Sequence, residues 1–121
     1  MIRKATEDDL PTVLAIVDQY FSEYGFSAQS GISLDPDSVL AAARICMNKG
    51  VLLIEDNTGV AGGTISPAFG SNHNTKVMQE NIVYGSPELA EAFYKCAKEL
   101  GAQVSIRSCY VPASGSRFRR L

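Results

Sequence analysis

Gln79-Glu80-Asn81-Ile82-Val83-Tyr84-Gly85-Ser86-Pro87-Glu88-Leu89 runs a strand straight into a helix, and this junction decides the fold. The strand reaches back to Lys76. Simple alternation puts Met78, Glu80, Ile82 and Tyr84 on one face and Val77, Gln79, Asn81 and Val83 on the other. Ser86 supplies a capping hydroxyl, and Pro87 suits the first helical position, where a missing N–H costs nothing. Leu89, Phe93, Cys96, Ala97 and Leu100 then recur at helical spacing until Gly101. Val104 and Ile106 mark another strand. A strand, a helix and a second strand in this order predict parallel neighbours joined by a right-handed crossover.

Upstream, Val51-Leu52-Leu53-Ile54 is a continuous apolar strand, Asp56-Asn57-Thr58-Gly59 is turn chemistry, and Val60 to Ser66 returns as a hairpin partner. Its Gly62-Gly63 pair predicts a bulge or a close backbone approach. Two helices precede the hairpin. Thr6 and Asp9 have capping-box spacing before Leu10, Val13, Leu14, Val17, Tyr20, Phe21 and Tyr24, and Gly25 ends that stripe. Asp35-Pro36 opens the second helix, with Val39, Leu40, Ala43, Cys46 and Met47 inward and Gly50 after it. Ile2 to Ala5 is a first short strand. Ser114-Gly115-Ser116 is read as the start of a further helix. The predicted order is β-α-α-β-β-β-α-β-(α): an α/β (α+β) domain over 1–121, with an antiparallel central hairpin and one parallel crossover.

Bulk properties remove several classes. The chain has 121 residues, 45% of them hydrophobic, and a net charge of −2. That balance argues against nucleic-acid binding, which requires many basic groups on phosphates. No apolar run is long enough to cross a membrane. Met1 to Asp9 is too polar for a signal peptide. Cys46, Cys96 and Cys109 are odd in number and lack CxxC spacing, which fits reduced thiols in the cytoplasm. With His73 the only histidine, no metal site is expected.

Taken together, these pieces resemble the GNAT (Gcn5-related N-acetyltransferase) superfamily. Ile2-Arg3-Lys4-Ala5-Thr6-Glu7-Asp8-Asp9-Leu10 is similar to the family's "IRxATxxD" start. Val60-Ala61-Gly62-Gly63-Thr64-Ile65 is similar to its "VxGxI" strand. Gln79 to Tyr84 resembles its fourth strand, Leu89 to Ala102 its third helix, and Ser116-Arg117-Phe118-Arg119-Arg120-Leu121 its "RFYxxLGF" helix. The small GNAT-like proteins of bacteriophages are the nearest in character, which adds the virion to the cytoplasm as an expected location. The resemblance implies a sheet lacking the family's last two strands. It implies acetyl-CoA as cofactor, with Ile82, Val83 and Tyr84 along the pantetheine arm and Gly85 and Ser86 at the pyrophosphate. It also implies Glu80 as general base.

Three departures qualify what it implies. The family's R/Q-x-x-G-x-G/A loop, whose N–H groups hold the pyrophosphate, is replaced by Gly85-Ser86-Pro87-Glu88. Pro87 has no N–H to offer, and Glu88 is an anion in the first turn. The family's general-acid tyrosine aligns with Phe118, leaving Tyr110 as a stand-in. The short C-terminus leaves Val104–Ile106 as an open sheet edge, through which a protein partner or a second copy would pair. Tyr24 and Phe26 are candidates for an acceptor pocket, and Arg107, Arg117, Arg119 and Arg120 cluster late in the chain. Two functions follow. One is a cofactor-free binding or structural module, favoured by the departures. The other is an active acetyl-CoA-dependent N-acetyltransferase.

Overall fold

In the computed structural model, residues 1–23, 31, 33–68, 70, 74–107 and 118–121 are described. In chain order their elements are β1 (Ile2–Lys4), a 3-10 turn (Glu7–Asp9), α1 (Leu10–Glu23), α2 (Pro36–Lys49), β2 (Gly50–Glu55), β3 (Gly59–Pro67), β4 (Lys76–Tyr84), α3 (Pro87–Glu99), β5 (Ala102–Arg107) and β6 (Phe118–Arg120). The strands form one sheet in the order β1-β2-β3-β4-β5-β6. Only β4 and β5 are parallel, joined through α3 as the crossover requires.

The continuous apolar run of β2 reflects cover on both faces. Leu52 and Ile54 pack under α1 and α2 with Leu10, Val13, Ile16 and Tyr20. Val51 and Leu53 pack under α3 with Leu89, Phe93 and Ala97. Each such side chain contributes roughly 1.5–3 kcal/mol on burial. The helix stripes fall near their expected positions, with two exchanges. Ile16 is buried in α1, although the spacing argument passed over it. In α3, Tyr94 turns inward, while Leu100 lies at the C-cap, about half exposed at 49%.

Asp9 closes the entry to α1. Its carboxylate accepts the Thr6 N–H at 2.8 Å and both guanidinium nitrogens of Arg3 at 2.7 Å. The Arg3 hydrogen bond, then the Thr6 N–H, hold its pKa well below the usual carboxylate range.

The C-terminal end corrects two expectations. Phe118–Arg120 is a strand, not part of a helix (the expected helix start, Ser114 to Ser116, lies outside the described residues), and it pairs antiparallel with β5, with Val104 opposite Arg120 and Ile106 opposite Phe118. Val104–Ile106 is therefore not an open edge, and a closing strand is present. The Leu121 N–H continues the ladder to the Gln103 carbonyl at 3.1 Å, and the Leu121 side chain packs against the α3 core. Three residues are too few to show a period of either 2 or 3.6, so the local sequence did not separate strand from helix.

Candidate functional site

The centre of the molecule is an irregularity in β4. Gly62 pairs with Ile82 and Gly63 with Glu80, so Asn81 is an extra residue bulged out of the ladder. Gly63 makes this possible: a Cβ there would meet the Gln79 carbonyl oxygen at 2.4 Å and the Met78 Sδ at 2.6 Å. The paired glycines thus mark a bulge, as their sequence suggested.

The bulge resets the alternation and overturns one expectation. Glu80 does not share a face with Ile82 and Tyr84. Met78 and Glu80 point into the α3 layer, whereas Ile82 and Tyr84 pack with the α1 and α2 core. Glu80 is 1% exposed. Its Oε2 accepts from Ser105 Oγ at 2.5 Å, its Oε1 accepts from Tyr94 Oη at 3.2 Å, and Arg107 Nε lies 3.8 Å from Oε1. Burial and the neighbouring Glu80 charge raise the pKa of Tyr94, so its hydroxyl stays a donor. The Arg119 guanidinium stacks 4.3 Å over the Tyr94 ring. Among the described residues, no buried side-chain nitrogen or oxygen lacks a partner.

The last described pair of β4 with β5 is Glu80 with Arg107, and β4 continues to Tyr84 beside β3. The C-terminal end of β4 leads to an open cleft of about 610 Å³ lined by Glu23, Glu55, Asp56, Thr58, Val83, Tyr84, Gly85 and Ser86.

Ser86 caps α3 as predicted, its hydroxyl accepting the Leu89 N–H at 3.2 Å. Gly85, at φ +151°, brings the backbone in tightly: a Cβ there would meet Leu89 Cδ2 at 2.8 Å and Glu55 Oε1 at 3.1 Å. The unexpected residue is Glu55. From the end of β2 its carboxylate accepts the Ser86 N–H at 3.1 Å and the Ser86 hydroxyl at 2.5 Å. An anion from the protein itself sits where the unpaired donors of a helix start would receive a phosphate. Glu23 accepts from the Tyr84 hydroxyl, and Asp56 holds the Met1 ammonium at 2.8 Å. No Lys or Arg lines this cleft among its described residues.

Comparison with solved structures identifies the architecture. A GNAT family acetyltransferase from Brucella melitensis, solved in complex with acetyl-CoA, aligns with a TM-score of 0.64 at 15% identity, covering 100% of this chain and 86% of that one. The ribosomal-protein-alanine N-acetyltransferase of Brucella melitensis aligns at 0.58 and 20% identity over 88% of this chain and 72% of that one. A GNAT family acetyltransferase of Staphylococcus aureus aligns at 0.55 and 14% identity over 100% and 98%.

The chain has the GNAT fold.

No protein-family model matches the sequence, and no curated protein sequence matches it significantly. Of the residues that the GNAT resemblance implies for the cofactor, Val83, Tyr84, Gly85 and Ser86 line one cleft, Ile82 is buried in the α1 and α2 core, and Glu80 is set apart, facing α3. The pyrophosphate part of acetyl-CoA does not fit a helix start already bound by Glu55. Phe118, aligned with the family's tyrosine, lies 65% exposed on β6. Tyr110, Tyr24, Phe26, His73, Cys109 and Arg117 lie outside the described residues. No metal-holding group of His, Cys, Asp and Glu occurs among the described residues. No described helix is long and apolar enough to cross a membrane.

Sequence reasoning missed Glu55, Tyr94 and Ser105. Glu55 lies 31 positions from Ser86, and nothing local links them. Tyr94 was open to discovery, because it follows Phe93 on the buried stripe of α3. Ser105 alternates with Val104 and Ile106, which assigns it to the opposite face of β5.

Proposed function

We propose that this GNAT-fold chain is a binding or structural module that has given up its cofactor, with a virion role if it is phage-encoded. The observation that carries this reading is Glu55 on the Ser86 N–H and hydroxyl. A pyrophosphate brought to that helix start would face the Glu55 carboxylate within a few ångströms, a repulsion on the order of a few kcal/mol at a partly shielded site. Glu23 adds to it from the same cleft. The Glu80 carboxylate supports the same reading, since both its oxygens are engaged and it is closed off from solvent. A general base requires reach to the proton it removes.

A partner would dock at the β6 end of the sheet, beside Val104–Ile106, which was expected to be open. β6 is three residues long and carries the exposed Phe118 beside Arg119 and Arg120.

The second reading is an active N-acetyltransferase, and the likeness to a GNAT acetyltransferase solved with acetyl-CoA favours it. Isothermal titration of acetyl-CoA, with CoA as comparison, separates the two. The module reading expects no heat with either ligand at millimolar concentration. Micromolar binding by the wild-type chain overturns it and makes an amine acceptor screen, with Glu80→Gln as control, the next step.

A further inference from the structure

Four of the chain's eleven basic side chains meet in one place. Lys95 and Lys98 of α3 and Arg119 and Arg120 of β6 line an open pocket of about 300 Å³, together with Tyr94 and Leu121. None of the thirteen acidic side chains lines it. All four basic residues are exposed. In a chain of net charge −2, this gathers positive charge against the overall balance.

Two elements hold these charges together. Lys95 and Lys98 are three residues apart, so they are neighbours on one face of the helix. Arg119 and Leu121 alternate onto the α3 side of β6. There the Leu121 side chain joins the core, and Arg119 stacks 4.3 Å over the buried Tyr94 ring. Stacking uses the face of the guanidinium and leaves its N–H donors in the plane, where a carboxylate can accept two of them. Glu91 and Glu99 each stand four residues from Lys95, the spacing of a helix ion pair. Yet among the described residues no ion pair joins any of the four cations to a carboxylate, that of Leu121 at the chain end included. Four like charges this close repel one another, and an acidic occupant relieves that repulsion.

We propose that this pocket is where the module's protein partner docks, and that the partner presents an acidic segment whose Asp or Glu side chains reach Arg119 and the two lysines. The proposal rests on the module reading and names the chemistry of its partner. Clusters of Arg that read acidic motifs work in this way. Two features favour a peptide over a phosphate compound. A phosphate site draws on backbone N–H groups at a helix start. This pocket lies about 15 Å along α3 from Ser86, toward the end where carbonyls point outward and the dipole is negative. Its floor also carries the Tyr94 ring and the Leu121 side chain, and Phe118, 65% exposed, precedes Arg119 on β6. Aromatic and Arg side chains together are enriched in protein interfaces.

The test is fluorescence anisotropy of a labelled octaglutamate peptide with the intact chain, and octaglutamine as comparison. Saturable binding of octaglutamate alone is expected, weakening as salt is raised. Lys95→Glu and Arg119→Ala, both at exposed positions, are each expected to weaken it about tenfold or more. Arg119→Lys keeps the charge but not the planar fork, and about a threefold loss is expected. Lys49→Glu makes an equal charge change at the end of α2, on the other face of the sheet, and is expected to leave binding within about twofold. The proposal is overturned if octaglutamate does not bind, if octaglutamine binds as well, or if Lys49→Glu weakens binding as much as Lys95→Glu. It is also overturned if sodium triphosphate displaces the peptide, which would make the pocket a phosphate site. Failure of the module reading shows separately, as micromolar acetyl-CoA binding that Lys95→Glu leaves unchanged.

Discussion

The two faces of the sheet are finished to different standards. Under α3, the carboxylate, hydroxyl, phenol and guanidinium of Glu80, Ser105, Tyr94 and Arg107 close on one another with nothing left over. Under α1 and α2, the packing is apolar and borders a half-open pocket of about 120 Å³. Two residues of one strand, Glu80 and Ile82, look into these environments because a single bulged residue lies between them. The difference teaches that a buried polar cluster must pair every group, since an unpaired one costs the full desolvation penalty, whereas an apolar wall can be trimmed at moderate cost.

The largest effect that would break this contrast comes from Glu80→Ala. It strands Ser105, Tyr94 and Arg107, and urea unfolding should show a loss of about 3 kcal/mol. Glu55→Ala comes next. It deprives Ser86 of its acceptor and should cost about 1–2 kcal/mol by the same measurement. Under the module reading it should also bring measurable CoA binding in a calorimeter, which the parent chain lacks.

Tyr94→Phe should cost about 1 kcal/mol and carries a pH signature. The folded protein holds the Tyr94 proton more tightly than the unfolded chain does. Its contribution is therefore whole below about pH 10, the ordinary tyrosine value, and is lost as the pH rises through the higher folded value. Stability curves of wild type and Tyr94→Phe should run parallel from neutral pH to about pH 10 and converge above it. The smallest effect should come from the other face. Ala42→Leu should add about 0.5 kcal/mol by filling space. A large loss there would mean that the wall cannot give and that the faces are equally tight.

Much of this was legible from residues near one another in the chain. Ser86-Pro87 announced a helix start, and Val51 to Ile54 announced a strand covered on both sides. The glycine pair at 62 and 63 announced a bulge, but not the inversion of the faces that the bulge brings. Alternation has no memory of an inserted residue, so Glu80 was assigned the company of Ile82 and Tyr84 when its partners are Tyr94 and Ser105. The strand at Phe118–Arg120 stayed hidden because its stability comes from the β5 backbone rather than from its own three side chains. Glu55 was the least visible. A carboxylate at the end of a strand has many ordinary uses, and only the folded hairpin brings it to Ser86.

That carboxylate also changes how the cleft responds to a ligand. Any free anion seeking the start of α3 competes with a tethered rival, whose effective concentration is set by the geometry of the hairpin and not by its supply. Such a rival cannot be diluted, and raising the ligand concentration overcomes it slowly. It is also removed by one substitution at a position outside the helix it guards. Under the module reading, closing or reopening the cleft thus takes a change at β2 alone, with the helix cap of Ser86 left standing.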